Sequence, residues 1–261
     1  MNIIESIVIA IVEGLTEYLP ISSTGHMIIT SSLMGIHKDE FTKIYEVAIQ
    51  LGAIMAVVVL YWRKFLDFSK WQFYARLIIA VIPALVLGKL LSKTIDQLLE
   101  SPLTVAITLF SGGFVLLFID RYFLHNKVDD EKQVTYKQAF FTGLWQCLAL
   151  IPGVSRSAAS IIGAMQQGMS RRLAAEFSFF LAVPTMFAAT IYKLYFSSLS
   201  FTGEQVRLLV VGNIIAFIVA IIAIRFFIGF LQKYGFKFFG WYRVIAGILL
   251  FILIAFGVIE Q

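Results

Sequence analysis

Glu13 and Glu17 stand four residues apart in an apolar stretch. Pro20 follows, and then Ser22, Ser23, Thr24, Gly25 and His26. On a helix, residues at i and i+4 share a face, with side chains within about 6 Å. An ionised carboxylate in a bilayer costs on the order of 3 kcal/mol on insertion scales. Two on one face therefore call for a cation, a shared proton or water. The competing reading is an amphipathic entry helix lying at headgroup depth. If a helix restarts after Pro20, Ser23 and His26 also share a face. A hydroxyl nucleophile needs a base and a leaving group needs an acid, and imidazole serves as either near neutral pH. Against that, the hydroxyls suit ordinary helix N-caps, and a histidine can simply donate to a carbonyl.

A second cluster shifts this balance. Pro152 and Gly153 precede Ser155, Arg156 and Ser157, and no acidic residue lies near Arg156 in the sequence. A buried guanidinium without a carboxylate needs an anion, and its planar fork suits phosphate. Helix N-termini after both breaks would turn N–H groups toward the same anion. Glu13, Glu17, Ser23, His26 and Arg156, with the hydroxyls of Ser22, Thr24, Ser155 and Ser157, are thus expected to surround one phosphoryl group. Glu13 and Glu17 beside a phosphate invite a divalent cation, Mg²⁺ or Ca²⁺.

The surroundings of these clusters are apolar. Of 261 residues, 59% are hydrophobic and 14% charged, and the mean hydropathy is +0.87. Soluble domains carry about 25% charged residues, so the composition indicates an integral membrane protein. Disorder, nucleic-acid binding as a primary role and a disulfide scaffold are excluded, the last because Cys147 is the sole cysteine. A span needs roughly 20 apolar residues. Six stretches meet or approach that: Ile44–Tyr61, Leu77–Leu91, Pro102–Ile119, Phe177–Tyr195, Leu208–Phe227 and Tyr242–Ile259. The regions 2–35 and 138–168 are interrupted by proline and hydroxyl clusters, so each is expected to form two short helices with a break. The N-terminus does not read as a signal peptide, since no basic residue precedes its apolar run.

Basic residues cluster around 62–76, 121–137 and 225–243. Placing these in the cytoplasm with Arg171 and Arg172 gives 14 basic residues inside and 6 outside. That parity requires each broken region to enter the membrane and return to its own side, with both termini outside. Re-entrant backbone is tolerated where protein buries it or water lines it. The two broken regions also resemble each other, Gly14–Leu19 aligning with Gly143–Leu148 and Glu46 with Glu176. The expected fold is all-α: six transmembrane helices plus two re-entrant hairpins in one membrane domain. Its inverted-topology repeats would span about 1–119 and 138–259, joined by a cytoplasmic loop at about 120–137, with the site near the midplane. Asp129, Asp130 and Glu131 read as a solvated loop. His37 and His125 are too isolated for zinc, and Trp62, Trp71 and Trp241 suit interfacial belts. Gly112-Gly113 allows a helix contact or a kink, and assembly into a homodimer stays open.

The run Glu13-Gly14-Leu15-Thr16-Glu17-Tyr18-Leu19-Pro20-Ile21-Ser22-Ser23-Thr24-Gly25-His26 resembles the first signature of the bacterial undecaprenyl-diphosphate phosphatase family, the bacitracin-resistance proteins. Pro152-Gly153-Val154-Ser155-Arg156-Ser157 resembles the second signature, and the flanks 146–150 and 176–184 are similar to the family as well. The resemblance covers essentially the whole chain. One departure is Ala158 with Ser160, where the family usually has Gly and Thr. The resemblance implies an enzyme of the bacterial inner membrane with an outward-facing site. It would remove the terminal phosphate of the C55 isoprenoid diphosphate to regenerate the monophosphate carrier, lowering the lipid that bacitracin sequesters. It further implies Ser23 as nucleophile, Arg156 as phosphate clamp, His26 as acid/base, and Glu17 with Glu13 positioning the nucleophile or holding the cation. His26 as nucleophile is the alternative assignment. A transporter of the monophosphate carrier on the same scaffold is the alternative function, although it would not need a nucleophile beside an acid/base.

Overall fold

The computed structural model describes residues 1–99, 101–123, 126, 128–196 and 201–259; His125 and Lys127, read above as loop residues, lie outside them. The described residues are helical throughout their regular structure. The first broken region is α1 (Ile3–Thr16) and α2 (Ser23–Leu33). Next come α3 (Glu40–Ala48) and α4 (Gln50–Leu60), which make one span broken at Ile49, and the short α5 (Trp62–Phe65). α6 (Trp71–Leu90), α7 (Ser92–Leu99) and α8 (Pro102–Tyr122) complete the first half. The second half holds α9 (Tyr136–Gln146), α10 (Arg156–Gln166), α11 (Arg171–Phe196), α12 (Gly203–Tyr234) and α13 (Lys237–Ala255). Among the described residues six segments are long and apolar enough to cross a membrane: Glu40–Leu60, Trp71–Leu90, Pro102–Tyr122, Arg171–Tyr195, Gly203–Tyr234 and Lys237–Ala255. With this composition, the chain is a multi-pass membrane protein.

Most spans begin earlier than their apolar runs because their first turns carry polar or charged residues, as at Arg171 and Lys237. One basic cluster is corrected outright. The connection between the last two spans is only 235–236, so Arg225 and Arg243 are helical. Arg243 is 1% exposed in α13 and is no loop residue. Removing it leaves thirteen basic residues against six, and the charge bias keeps its sign.

Ion pairs gather the remaining basic segments at one end of the bundle. Lys64 pairs with Glu131 at 2.7 Å and approaches Glu176 at 3.9 Å, Arg171 pairs with Asp120 at 2.7 Å, and Arg76 donates to the Lys132 carbonyl. Asp120 also accepts the Phe236 N–H. At the far end of the Glu40–Leu60 span, the Met1 amino group lies 3.9 Å from Asp39, so both ends of the first broken region meet there. The ends of the second meet at the basic end, where Gln138 donates to the Gln167 carbonyl and Ser170 to Asp129. Glu131→Gln is expected to leave activity unchanged and to cost at most about 1 kcal/mol, because a partly exposed ion pair contributes little. Thermal unfolding in detergent and phosphate release check this.

The two breaks share their backbone. Ser22 has φ 71° and Ser155 has φ 74°, the described non-glycine residues with positive φ. Each caps the next helix, Ser22 Oγ accepting from the Gly25 N–H and Ser155 Oγ from the Ala158 N–H. Such a conformation costs on the order of 1–3 kcal/mol and persists where its surroundings over-determine it. Close packing then cross-links the halves. A methyl at Gly14 would meet the Ala216 carbonyl of α12, and one at the aligned Gly143 would meet the Ala80 carbonyl of α6. Gly113 packs against the α13 backbone at Gly240 and Val244, so the Gly112-Gly113 pair serves a helix contact within the chain.

Candidate active site

Glu17 caps α1 in helical geometry, its N–H donating to the Glu13 carbonyl. Glu13 and Glu17 therefore stay on one face, as the spacing requires. Glu13 is fully buried and Glu17 is 6% exposed, which rules out the surface-helix reading. After Pro20 the chain reverses, and α2 starts at Ser23. That reversal brings Ser23 Oγ to 2.5 Å from Glu17 Oε2, to which it donates. The other carboxylate oxygen, Oε1, accepts from Arg156 at 3.0 Å. Ser23, Glu17 and Arg156 thus form one chain of contacts spanning both breaks, with a hydroxyl, a carboxylate to take its proton and a cation to orient the carboxylate.

Arg156 is held on several sides. It donates to the Ser178 carbonyl at 2.9 Å and lies 5.5 Å over the Tyr18 ring, while its Nε is buried without a hydrogen-bond partner. Glu13 likewise has two buried oxygens with no hydrogen-bond partner. His26 does not reach the Ser23–Glu17 pair. Its Nδ1 lies 2.7 Å from the Ser22 carbonyl and its Nε2 lies 2.6 Å from the Tyr242 hydroxyl.

The flanking hydroxyls are mostly committed to the fold. Ser22 is an N-cap, as the simpler reading had it, and Ser155 is one as well. Ser155 Oγ also lies 3.0 Å from Ser157 Oγ, and Ser157 donates to the Leu19 carbonyl at 2.7 Å, tying the second break to the first. Thr24 is half-buried beside Ser23. Ser160 keeps a hydroxyl at the departing position and uses it on the Arg156 carbonyl and the Ser178 hydroxyl. Cys147 is a free thiol facing the Gly143 carbonyl.

These motifs and this geometry can be set beside known proteins. Residues 6–249 match the family described as bacitracin resistance protein BacA. The chain belongs to that family. It is 55% identical to an undecaprenyl-diphosphatase of Flavobacterium psychrophilum, over 97% of this chain and 96% of that protein. It is 48% identical to one of Porphyromonas gingivalis over 99% of both chains, and 44% identical to one of Aquifex aeolicus over 94% and 96%.

Reasoning from sequence missed Ser178, Tyr242 and, above all, Arg243. The Arg243 guanidinium donates to the carbonyls of Val154, Thr108 and Gly153 at 2.9 Å, of Pro20 at 3.3 Å and of Leu109 at 3.4 Å. It joins both breaks to α8, and Gly112 makes room for it. No described carboxylate pairs with it. A guanidinium supplies five N–H donors where an ammonium supplies three, so Arg243→Lys must strand buried carbonyls. The expected cost is about 2 kcal/mol, read as a lower unfolding midpoint in detergent. An unchanged midpoint would remove Arg243 as the fastener of the two breaks.

Proposed function

We propose that this chain is an undecaprenyl-diphosphatase, hydrolysing the terminal phosphate of the C55 isoprenoid diphosphate to release the monophosphate carrier. The observation that carries this is the contact of Ser23 with Glu17, itself oriented by Arg156. A nucleophile, its base and an orienting third group is the arrangement of covalent catalysis. A site that only bound and moved an anion would have no use for it.

Ser23 Oγ attacks the terminal phosphorus as its proton passes to Glu17 Oε2. The Oγ–P bond forms, the bridging P–O bond breaks, and the lipid monophosphate departs. Water then attacks the phosphoserine, its protons staying with the inorganic phosphate that leaves, while Glu17 returns the proton it holds to Ser23 Oγ as the Oγ–P bond breaks. Arg156 stabilises the phosphoryl oxygens, its free Nε being a buried donor without an acceptor. Thr24 offers a further hydroxyl beside Ser23. His26 is the acid/base group by resemblance to the family motif rather than by a contact with Ser23 or Glu17. Because both its nitrogens are engaged elsewhere, Ser23 is favoured over it as nucleophile.

A divalent cation fits this site through Glu13, whose two oxygens have no hydrogen-bond partner. Glu17 accepts one hydrogen bond on each oxygen, from Ser23 and Arg156, so Glu13 is the carboxylate left freer for a cation. No group of three or more His, Cys, Asp or Glu side chains among the described residues is set to hold a metal. Mg²⁺ is commonly held by one or two carboxylates plus phosphate oxygens, so the remaining ligands would come from the substrate. Bound there, the cation would neutralise charge on the diphosphate.

The return of each broken region to its own end, at opposite ends of the bundle, supports two re-entrant hairpins in an inverted repeat. The shared conformation of Ser22 and Ser155 and the exchanged contacts of Gly14 and Gly143 support the same reading. With the basic end in the cytoplasm of a bacterial inner membrane, the first hairpin opens outward and phosphate leaves on the outer side.

The test is phosphate release from a detergent-solubilised C15 or C55 isoprenoid diphosphate labelled in its terminal phosphate, with Mg²⁺ and Ca²⁺ each supplied and then chelated. Release that stops on chelation, with acid-quenched label on the peptide carrying Ser23, is the expected result. No release by folded wild-type protein with either cation sinks the phosphatase reading.

A further inference from the structure

His26 is held at both ring nitrogens, and the two holds differ in kind. The Ser22 carbonyl can only accept, so Nδ1 carries a proton. In the neutral ring Nε2 is then the acceptor, and the Tyr242 hydroxyl 2.6 Å away donates to it; in the imidazolium these roles reverse. The two rings lie nearly parallel, 12° apart with centroids at 5.5 Å. Tyr242 itself is anchored. It precedes Arg243, whose five carbonyl contacts lock that turn of α13 to both breaks, while Tyr242 as a residue is 46% exposed at the rim of the site.

Nothing else described hydrogen-bonds the His26 ring. On α1, Glu17 is committed to Ser23 and Arg156, and Glu13 has no hydrogen-bond partner. The α8 helix packs on α2, and its stretch Pro102–Ile119 has no titratable side chain. From α13, Arg243 directs its donors to carbonyls and none to His26. Once the Tyr242 hydroxyl is removed, one hydrogen bond is left to set the rotation of the ring.

We propose that Tyr242 is a positioning residue for the phosphoryl transfer, acting through His26 by fixing the rotation of its ring at the site. This rests on the phosphatase reading above. Tyr242 reaches the site from the last span, about 216 residues downstream in sequence, so the end of the chain helps to set the geometry of the first motif.

Tyr242→Phe keeps the stacked ring and deletes the hydroxyl. With the C15 diphosphate as probe, kcat is expected to fall about tenfold while KM stays within about twofold, the signature of lost transition-state rather than ground-state interaction. In a double-mutant cycle, adding Tyr242→Phe to His26→Gln should slow the enzyme no further, because residues acting as a unit are not additive. Multiplied losses, or a wild-type kcat in Tyr242→Phe, overturn the proposal. Should His26→Gln be too slow to measure, labelling by diethyl pyrocarbonate, mapped to His26 by mass spectrometry, decides. Freeing Nε2 should speed labelling of Tyr242→Phe about tenfold at an unchanged unfolding midpoint, and equal labelling overturns the proposal. An inactive but folded wild type strikes the phosphatase reading instead, and the labelling result still judges Tyr242.

Discussion

Glu17→Gln is expected to fold normally and to lose roughly 10³–10⁴-fold in phosphate release, the scale of a lost general base. The wild-type carboxylate serves two donors at once, Ser23 on Oε2 and Arg156 on Oε1. Glutamine has a single carbonyl oxygen and cannot serve both. If that oxygen turns to Arg156, the amide N–H₂ faces Ser23 and occupies the lone pair needed for attack. If it turns to Ser23, N–H₂ meets guanidinium N–H, two donors opposed in a buried place. In neither rotamer can the side chain take the serine proton. The check is single-turnover release of terminal phosphate by wild type and variant, matched for unfolding midpoint. A variant within threefold of wild type would strip Glu17 of the base role and return it to His26.

How much of this was legible beforehand follows from what leaves a mark in sequence. The carboxylate spacing of Glu13 and Glu17, the two proline breaks and the six apolar runs are local patterns, and each appears in the structure. Contact of Ser23 with Glu17 is not local, even six residues apart. It depends on how sharply the chain reverses after Pro20, and the positive φ of Ser22 decides that. The spacing of Ser23 and His26 suggested a working pair, but the ring turns instead to the Ser22 carbonyl and Tyr242.

Arg243 was the least legible. It reads as one more basic residue after Arg225, Lys233 and Lys237, and its partners are backbone carbonyls, which carry no side-chain signature. Gly112 was the only trace of it, as a small residue with two readings. The same geometry brings two breaks far apart in sequence into contact, Arg156 with Glu17 and Ser157 with Leu19. In the proposed reaction the first break supplies nucleophile and base and the second supplies the clamp, while Arg243 fastens one break to the other. Losing Arg243 does not reverse the charge count, and the ion pairs of Lys64, Arg171 and Arg172 with Asp120, Glu131 and Glu176 lie together at one end of the bundle.

Arg156→Lys keeps the charge and is nevertheless expected to lose roughly 10²–10³-fold in kcat, as when a preorganised donor to a transition-state oxygen is removed. The guanidinium works through fixed, planar donors. One edge holds the Ser178 carbonyl, another holds Glu17, and Nε remains over for the phosphoryl oxygen. An ammonium is a compact point charge with rotatable donors and no flat face to lie on Tyr18. It can satisfy Glu17 or reach the phosphate, but it cannot hold both in one geometry while also spanning to Ser178. Losing the Glu17 contact would further free the carboxylate to rotate away from Ser23, so the damage extends from the clamp to the base. KM and kcat measured together discriminate. A rise in KM alone would reduce Arg156 to a ground-state anchor for the diphosphate. A loss in kcat, with Ser23 phosphorylation slowed in rapid-quench experiments, is the outcome the contact chain requires. Near-full activity in the lysine variant would show that charge alone suffices, and the oriented fork would then have no role in the reaction.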